Sequence, residues 1–401
     1  MVKIIIQLLR TICVNGIGLI AGVFSANYQN ASQAANFLLF FMLHQVITSI
    51  SISGATNYII KITSRQKITL NDYRYIQKLV YTTCLIFSLL FLIYFFYERQ
   101  LQIGLEVYHL LGWLTLSFIM TGINVNYSIY QGLGEDFKAL LFSFLVFIIF
   151  CMSAAVVYFF HFMIEVLVVF SLSFSMIILF FSVKNINLNV LERSHSHIHE
   201  EISNAFKLKD YILNFVSNSV VLPVFFFLGY AINMYGSVSD SLGYNITVQL
   251  RNLILLLPFV ILQYSITQQK IFQRYFLFGF LFAIKLFFIV FLGFFLIKTI
   301  SPFIYGDVFG VDYIYLKYMC VASFFAAISS CLGNFVFVKG DYKFCMTNNV
   351  IWALVVVFTF VYDNRFDIVS AYLSIVYGYV VSMFICVIYF SSDCVKKRRL
   401  N

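Results

Sequence analysis

Long apolar runs separated by short polar turns fill this chain from end to end. Twelve runs can be marked, near residues 4–26, 34–60, 77–97, 107–131, 139–160, 163–183, 211–233, 242–266, 275–297, 314–337, 344–361 and 368–390. Each approaches the ~20 apolar residues that an α-helix needs to cross a hydrocarbon layer ~30 Å thick. The longest connection runs from Lys184 to Asp210, and no turn has room for a soluble domain. The pattern predicts an all-α polytopic membrane protein with twelve transmembrane helices. It divides into an N-terminal six-helix half at residues 1–183, a cytoplasmic linker at 184–210, and a C-terminal six-helix half with a basic tail at 211–401.

The apolar runs are not uniform. Wound at 100° per residue, the first places Gln7, Arg10, Thr11, Asn15, Gly18 and Gly22 within a sector of roughly 140°. The fourth aligns Ser117, Thr121, Asn124, Ser128 and Gln131. The second aligns His44, Thr48, Ser51, Ala55 and Tyr58, and the tenth aligns Ser323, Ala327, Ser330 and Asn334. The seventh carries Asn214, Ser217 and Asn218 below Pro223; the eighth carries Asn245, Gln249 and Asn252 before Pro258. Polar groups inside a membrane need partners or water. The stripes therefore predict either seams between helices or the wall of a hydrated cavity. The two prolines predict kinks.

Composition sharpens the class. The chain is 62% hydrophobic and 11% charged, too little polar surface to cover a soluble protein of 401 residues. The net charge of +9 is not a nucleic-acid signal, because its position follows the turns. Lys61, Arg65, Lys67, Arg74, Lys78, Lys138, Lys184, Lys207, Lys270, Arg274, Lys339 and Lys343 fall on alternate turns, and Lys396 to Arg399 end the chain. The opposite turns hold Arg99, Lys298 and Arg365. The positive-inside rule then puts both termini in the cytoplasm. The eight cysteines form no C-x-x-C pair and read as small buried hydrophobes. The start resembles a signal peptide only superficially, since Arg10 and Asn15 interrupt it and no A-x-A site follows. "HSHIH" at His195–His199 reads as a solvated linker, with no ligand cluster to complete a metal site.

The halves also repeat. "GEDFKALLF" from Gly134 and "GDYKFCM" from Gly340 place Asp136, Phe137 and Lys138 against Asp341, Tyr342 and Lys343, 205 residues on. Two six-helix halves of one orientation imply a pseudo-two-fold axis along the membrane normal. These turns, "SPFIYGDVF" from Ser301 and "SGATNYIIK" from Ser53 resemble the multidrug/oligosaccharidyl-lipid/polysaccharide exporter superfamily, and within it the Wzx-type O-antigen flippases. The resemblance implies a bacterial inner-membrane flippase, not an enzyme. Its cargo would be undecaprenyl-pyrophosphate-linked oligosaccharide, moved to the periplasmic leaflet by alternating access. Membrane lipids and other polysaccharide-assembly membrane proteins would be its neighbours, with no cofactor and no nucleic acid.

Buried cations fit such a cargo. Arg10 lies about 9 Å into its helix, Arg251 about 14 Å and Lys285 about 15 Å, at 1.5 Å per residue. A charge at a helix centre costs about 2.5–3.5 kcal/mol on insertion scales. Acids are nearly missing at these depths: Glu165 and Asp210 lie near helix ends. A pyrophosphate supplies the anion, and arginine grips it with two hydrogen bonds. The candidate substrate-binding residues are Arg10, Arg251, Lys285, Asn15, Asn245, Gln249, Asn252 and Asn124. Arg10 alternatively snorkels to cytoplasmic head groups. Arg251 lies roughly opposite the Asn245 stripe, with Thr247, and Lys285 lies on the ninth run. Three rival classes stand beside it: an antiporter, an enzyme of the same pathway, and a scaffold. A drug/cation antiporter of the same superfamily would want membrane carboxylates. A glycosyltransferase would want acids in the first external loop, and "NYQNASQ" from Asn27 has none; a polysaccharide polymerase would want a larger external loop. A scaffold does not explain buried cations.

The charge pattern makes a direct prediction. Fused after Asn401, a green fluorescent protein should fluoresce and alkaline phosphatase should stay inactive. Active phosphatase there would reverse the orientation.

Overall fold

The computed structural model of the chain describes residues 2–26, 31–65, 70–99, 105–160, 164–194, 208–255 and 313–400, with further positions at 288, 291, 292, 295, 296 and 299. The described elements are helices: α1 (Val2–Ala26), α2 (Ala31–Arg65), α3 (Leu70–Arg99), α4 (Leu105–Gly132), α5 (Asp136–Phe160), α6 (Ile164–Ser194), α7 (Leu208–Ser219), α8 (Val221–Tyr235), α9 (Val238–Ile254), α10 (Tyr313–Lys339), α11 (Tyr342–Asp363) and α12 (Ile368–Leu400). Five stretches are long and apolar enough to cross a membrane: Tyr73–Tyr94, Asp136–Phe159, Ile212–Tyr235, Tyr342–Asp363 and Ile368–Phe390. Their outer faces carry Leu89, Leu90, Ile93, Phe358, Phe384 and Ile388 in the open. Apolar rows of that kind suit lipid, not water. The chain is a multi-pass membrane protein.

α6 continues to Ser194, into the stretch expected as a linker, and the histidines from His195 lie outside the described residues. The seventh apolar run is not one kinked helix. α7 stops at Ser219, Val220 forms a turn, and α8 restarts at Val221 with Pro223 in its first turn. A proline is tolerated there because the first N–H groups of a helix have no intrahelical partner. Pro258 lies outside the described residues.

The chain forms two compact units: Met1–Ser25 with Asn36–Leu222, and Ala26–Ala35 with Pro223–Asn401. In the first, α4 packs against α3, α5 and α6. Ile119, Ile123, Tyr127 and Tyr130 of α4 meet Tyr73 and Val80 of α3, Phe142 and Val146 of α5, and Ile178 and Ile186 of α6. Gly122 permits this: a Cβ there would run into the Tyr81 hydroxyl. A polar chain crosses the same core. Tyr73 donates to Asn126 Oδ1 at 3.0 Å, Asn126 Nδ2 donates to Ser182 Oγ at 2.7 Å, and Tyr130 donates to the Ser182 carbonyl at 3.1 Å. In the second unit α12 packs against α9, α10 and α11.

The α4–α5 and α10–α11 turns share one backbone design. Gly134 and Gly340 have φ of 78° and 89°. The next amide, of Glu135 or Asp341, reaches back to the carbonyl of Tyr130 or Val336. This is the Schellman closure of a helix end, for which glycine is preferred. Ala139 and Cys345 then bond the carbonyls of Glu135 and Asp341. The backbone therefore aligns Glu135 with Asp341, not Asp136 with Asp341 as the residue types suggest. Register is set by the left-handed glycine, and the residue after it takes the capping place. Asp341 Oδ1 accepts from the Phe344 amide at 3.1 Å, while Oδ2 accepts from the Tyr389 hydroxyl at 2.9 Å.

Asp341→Ala should remove a cap and an interhelical bond together, costing about 1–3 kcal/mol. Asp341→Asn, which can still accept at one oxygen, should cost less. Thermal unfolding in detergent reads the difference, and equal midpoints for wild type and Asp341→Ala would refute it.

Candidate functional site

Arg10 emerges from α1 toward the end of α4. Its Nη1 donates to Gln131 Oε1 at 2.8 Å, and the residue is half-buried. The Asp136 carboxylate lies within electrostatic range of the guanidinium. Asp136 is buried, 7% exposed, in the first turn of α5. The sequence places this acid in a turn and leaves Arg10 without an acid at its depth; the fold puts Asp136 within range of its field. Arg10 is tied into the first unit through Gln131 of α4.

The α4 stripe that contains Gln131 is a seam. Ser117 donates to the Trp113 carbonyl at 2.8 Å, which leaves its oxygen to accept from His44 Nδ1 of α2 at 2.9 Å. Thr121 meets Cys84 of α3 at 3.7 Å, and Gln131 meets Arg10 of α1. Asn124 stays half-buried on α4, and its carbonyl accepts from Ser128 at 2.9 Å. Three polar positions spaced along one helix thus bind it to three neighbours.

Arg251 lies within the second unit and is 6% exposed. Its Nη2 donates to the Tyr379 hydroxyl at 2.8 Å, and its guanidinium carbon sits 4.5 Å from the centre of the Phe225 ring. Both contacts suit a delocalised cation, the second as a cation–π contact. They belong to a ladder along two helices running in the same direction. Tyr244 packs beside Tyr372 with ring centres 5.9 Å apart, Tyr372 donates to Thr247 at 2.7 Å, and Arg251 reaches Tyr379. Seven residues separate the contacts on each helix, two turns at 3.6 residues per turn. Trp352 of α11 closes the cluster, 5.3 Å from Tyr379 and 6.1 Å from Phe225 between ring centres.

The remaining candidates divide. Asn245 and Gln249 are buried in the second unit, at 0% and 2% exposed, and Asn252 is half-buried. Asn245 faces α8, where a Cβ on Gly229 would lie 3.3 Å from its Oδ1. The side chain of Asn15 and the whole of Lys285 lie outside the described residues. Arg10 belongs to one unit and the Asn245 group to the other. The residues that sequence reasoning missed are Asp136, Phe225, Trp352 and Tyr379. Of these, Tyr379 left a trace: its seven-residue step from Tyr372 repeats the step from Tyr244 to Arg251.

No family model and no curated protein sequence matches the chain. Solved structures do. A MATE protein in its straight conformation aligns with TM-score 0.68 and 14% identity over 98% of this chain and 96% of its own. An outward-facing multidrug resistance MATE family transporter of the MOP superfamily aligns with TM-score 0.65 and 14% identity over 100% and 96%. An inward-facing one gives 0.67 and 14% over 98% and 99%. The chain shares the fold of these transporters.

The Arg10–Gln131 contact yields a second stability prediction. Gln131→Leu and Arg10→Met should each lower stability by about 1.5–3 kcal/mol, the value of a hydrogen bond to a charged group. The double variant should lose less than the sum, by at least about 1 kcal/mol. Strict additivity in thermal unfolding would show that the pair is not coupled.

Proposed function

We propose that the chain is an alternating-access transporter that moves undecaprenyl-pyrophosphate-linked oligosaccharide from the cytoplasmic to the periplasmic leaflet of a bacterial inner membrane. The observation that carries the reading is Arg251, a buried cation whose contacts are a hydroxyl and an aromatic ring. An interior that keeps a guanidinium without a carboxylate in contact, among the described residues, favours anionic cargo over cationic. The fold supports transport, because its solved neighbours include transporters in inward-facing and outward-facing forms. On this reading twelve helices form two six-helix bundles about a pseudo-two-fold axis, with both termini cytoplasmic. Half-buried Arg10 exchanges Gln131 for a phosphate oxygen as the head group enters, and Asn15, Asn124 and Lys285 contribute along the path.

One observation favours the rival. Asp136 is a buried carboxylate within electrostatic range of Arg10, the kind of group that couples a cation antiporter to protons. Energetics separate the two. Two negative charges leaving a negative interior gain about 4.6 kcal/mol per 100 mV, so anion flipping needs no coupled proton.

Purified protein in vesicles should therefore flip a fluorescent polyprenyl-diphosphate oligosaccharide, faster with an outward-driving potential set by potassium and valinomycin at equal pH. Arg10→Lys should slow flipping partly and Arg10→Ala at least about tenfold, the worth of one charge-assisted bond. Proton-coupled uptake of an organic cation, with no movement of the lipid, would overturn the proposal in favour of the antiporter.

A further inference from the structure

The surroundings of Arg251 contain more hydrogen-bond donors than acceptors. A guanidinium offers five N–H groups. One reaches Tyr379, and Nε has no partner although it is fully enclosed. Trp352 is 2% exposed, and its indole N–H, a group that can only donate, also has no partner. Tyr379 is 8% exposed and accepts from Arg251, which keeps its own O–H free to donate. The neighbouring hydroxyls are already used: Tyr244 donates to the Phe225 carbonyl at 3.2 Å and Tyr372 donates to Thr247 at 2.7 Å.

The charge is just as unbalanced. The described acidic side chains of the second unit all serve helix ends. Asp240 bonds Ser237 ahead of α9, Asp341 caps α11, Asp363 pairs with Arg365, and Asp367 caps α12 at Ser370. An enclosed cation with unfilled N–H groups and no carboxylate in contact is a strongly unfavourable arrangement unless an anion completes it. The residues around it are nearly fully buried, which suits a small ion and not a bulky head group.

We infer that Arg251, Trp352 and Tyr379 form a site for a small inorganic anion of halide size inside the second unit. The ion is the counter-charge of Arg251. A resident ion would satisfy the charge from which anionic cargo is argued above, so the ion and the lipid head group are alternative partners of Arg251, and the experiment below separates them.

The chain has two tryptophans, Trp113 and Trp352, so Trp113→Phe leaves Trp352 as the sole reporter. In detergent with gluconate as background salt, bromide should quench Trp352 saturably, and chloride should compete. Arg251→Met in this background should abolish the saturable part. Tyr379→Phe, which keeps the cation, should raise the half-saturating concentration about tenfold through one lost hydrogen bond. If Arg251→Met does not fold, Tyr379→Phe alone decides: an unchanged half-saturation refutes the site. Quenching linear in bromide also overturns it. So does indifference to bromide with a response to undecaprenyl diphosphate in the same micelles, which would assign these donors to a lipid head group.

Discussion

A polar group inside a lipid-embedded protein has no bulk water to turn to, so the helices must satisfy one another. That requirement organises the first unit. Arg10 is met by Gln131, His44 by Ser117, and Tyr73, Asn126 and Ser182 form a chain through the core. Apolar packing alone gives such helices little reason to choose partners, because lipid tails are as apolar as leucine. The hydrogen bonds supply direction and register. Gly122, whose Cβ would collide with Tyr81, lets α3 and α4 come close enough for these side chains to meet.

The two arginines meet the requirement differently. Arg10 sits beside a helix end, with an amide and a buried acid near it, and is half open. Arg251 is enclosed by aromatic residues and a tyrosine hydroxyl. A guanidinium tolerates both settings, since its charge is spread over a plane that can be hydrogen-bonded at its edge and covered on its face. At Arg251 a lysine would lose the planar contact with the Phe225 ring. The contrast is one of surroundings: a half-buried arginine at a helix end, and an enclosed one among aromatic rings.

The paired turns show how a repeat is carried by backbone and not by residue type. Gly134 and Gly340 hold the same left-handed conformation and the same back-reaching amide. The acid after Gly340 caps a helix; at the matching place Glu135 gives a backbone bond and pairs with Lys138 at 2.9 Å. Asp136 is then released from capping and is buried near Arg10. A one-residue change in alignment thus converts an apparent structural repeat of an aspartate into a difference between the halves.

Run length and periodicity were enough to read the membrane class, most of the described helices and the polar faces of α1, α4 and α9. These follow from local properties: run length, 3.6-residue periodicity, and the cost of stranding charge in hydrocarbon. The sequence also showed that Arg251 and Thr247 share a face opposite Asn245. Only the tertiary structure decided what those faces meet. Whether Ser117, Thr121 and Gln131 line water or bind neighbours depends on which helices lie beside α4, and periodicity does not contain that. The break at Val220, the one-residue register of the turns, and the meeting of Arg10 with Gln131 depend on backbone geometry over distances the local pattern does not reach. The enclosure of Arg251 is the clearest case. It needs Phe225, Trp352 and Tyr379 from three other helices, each an ordinary apolar-run aromatic in sequence, and only packing makes them the walls around one charge.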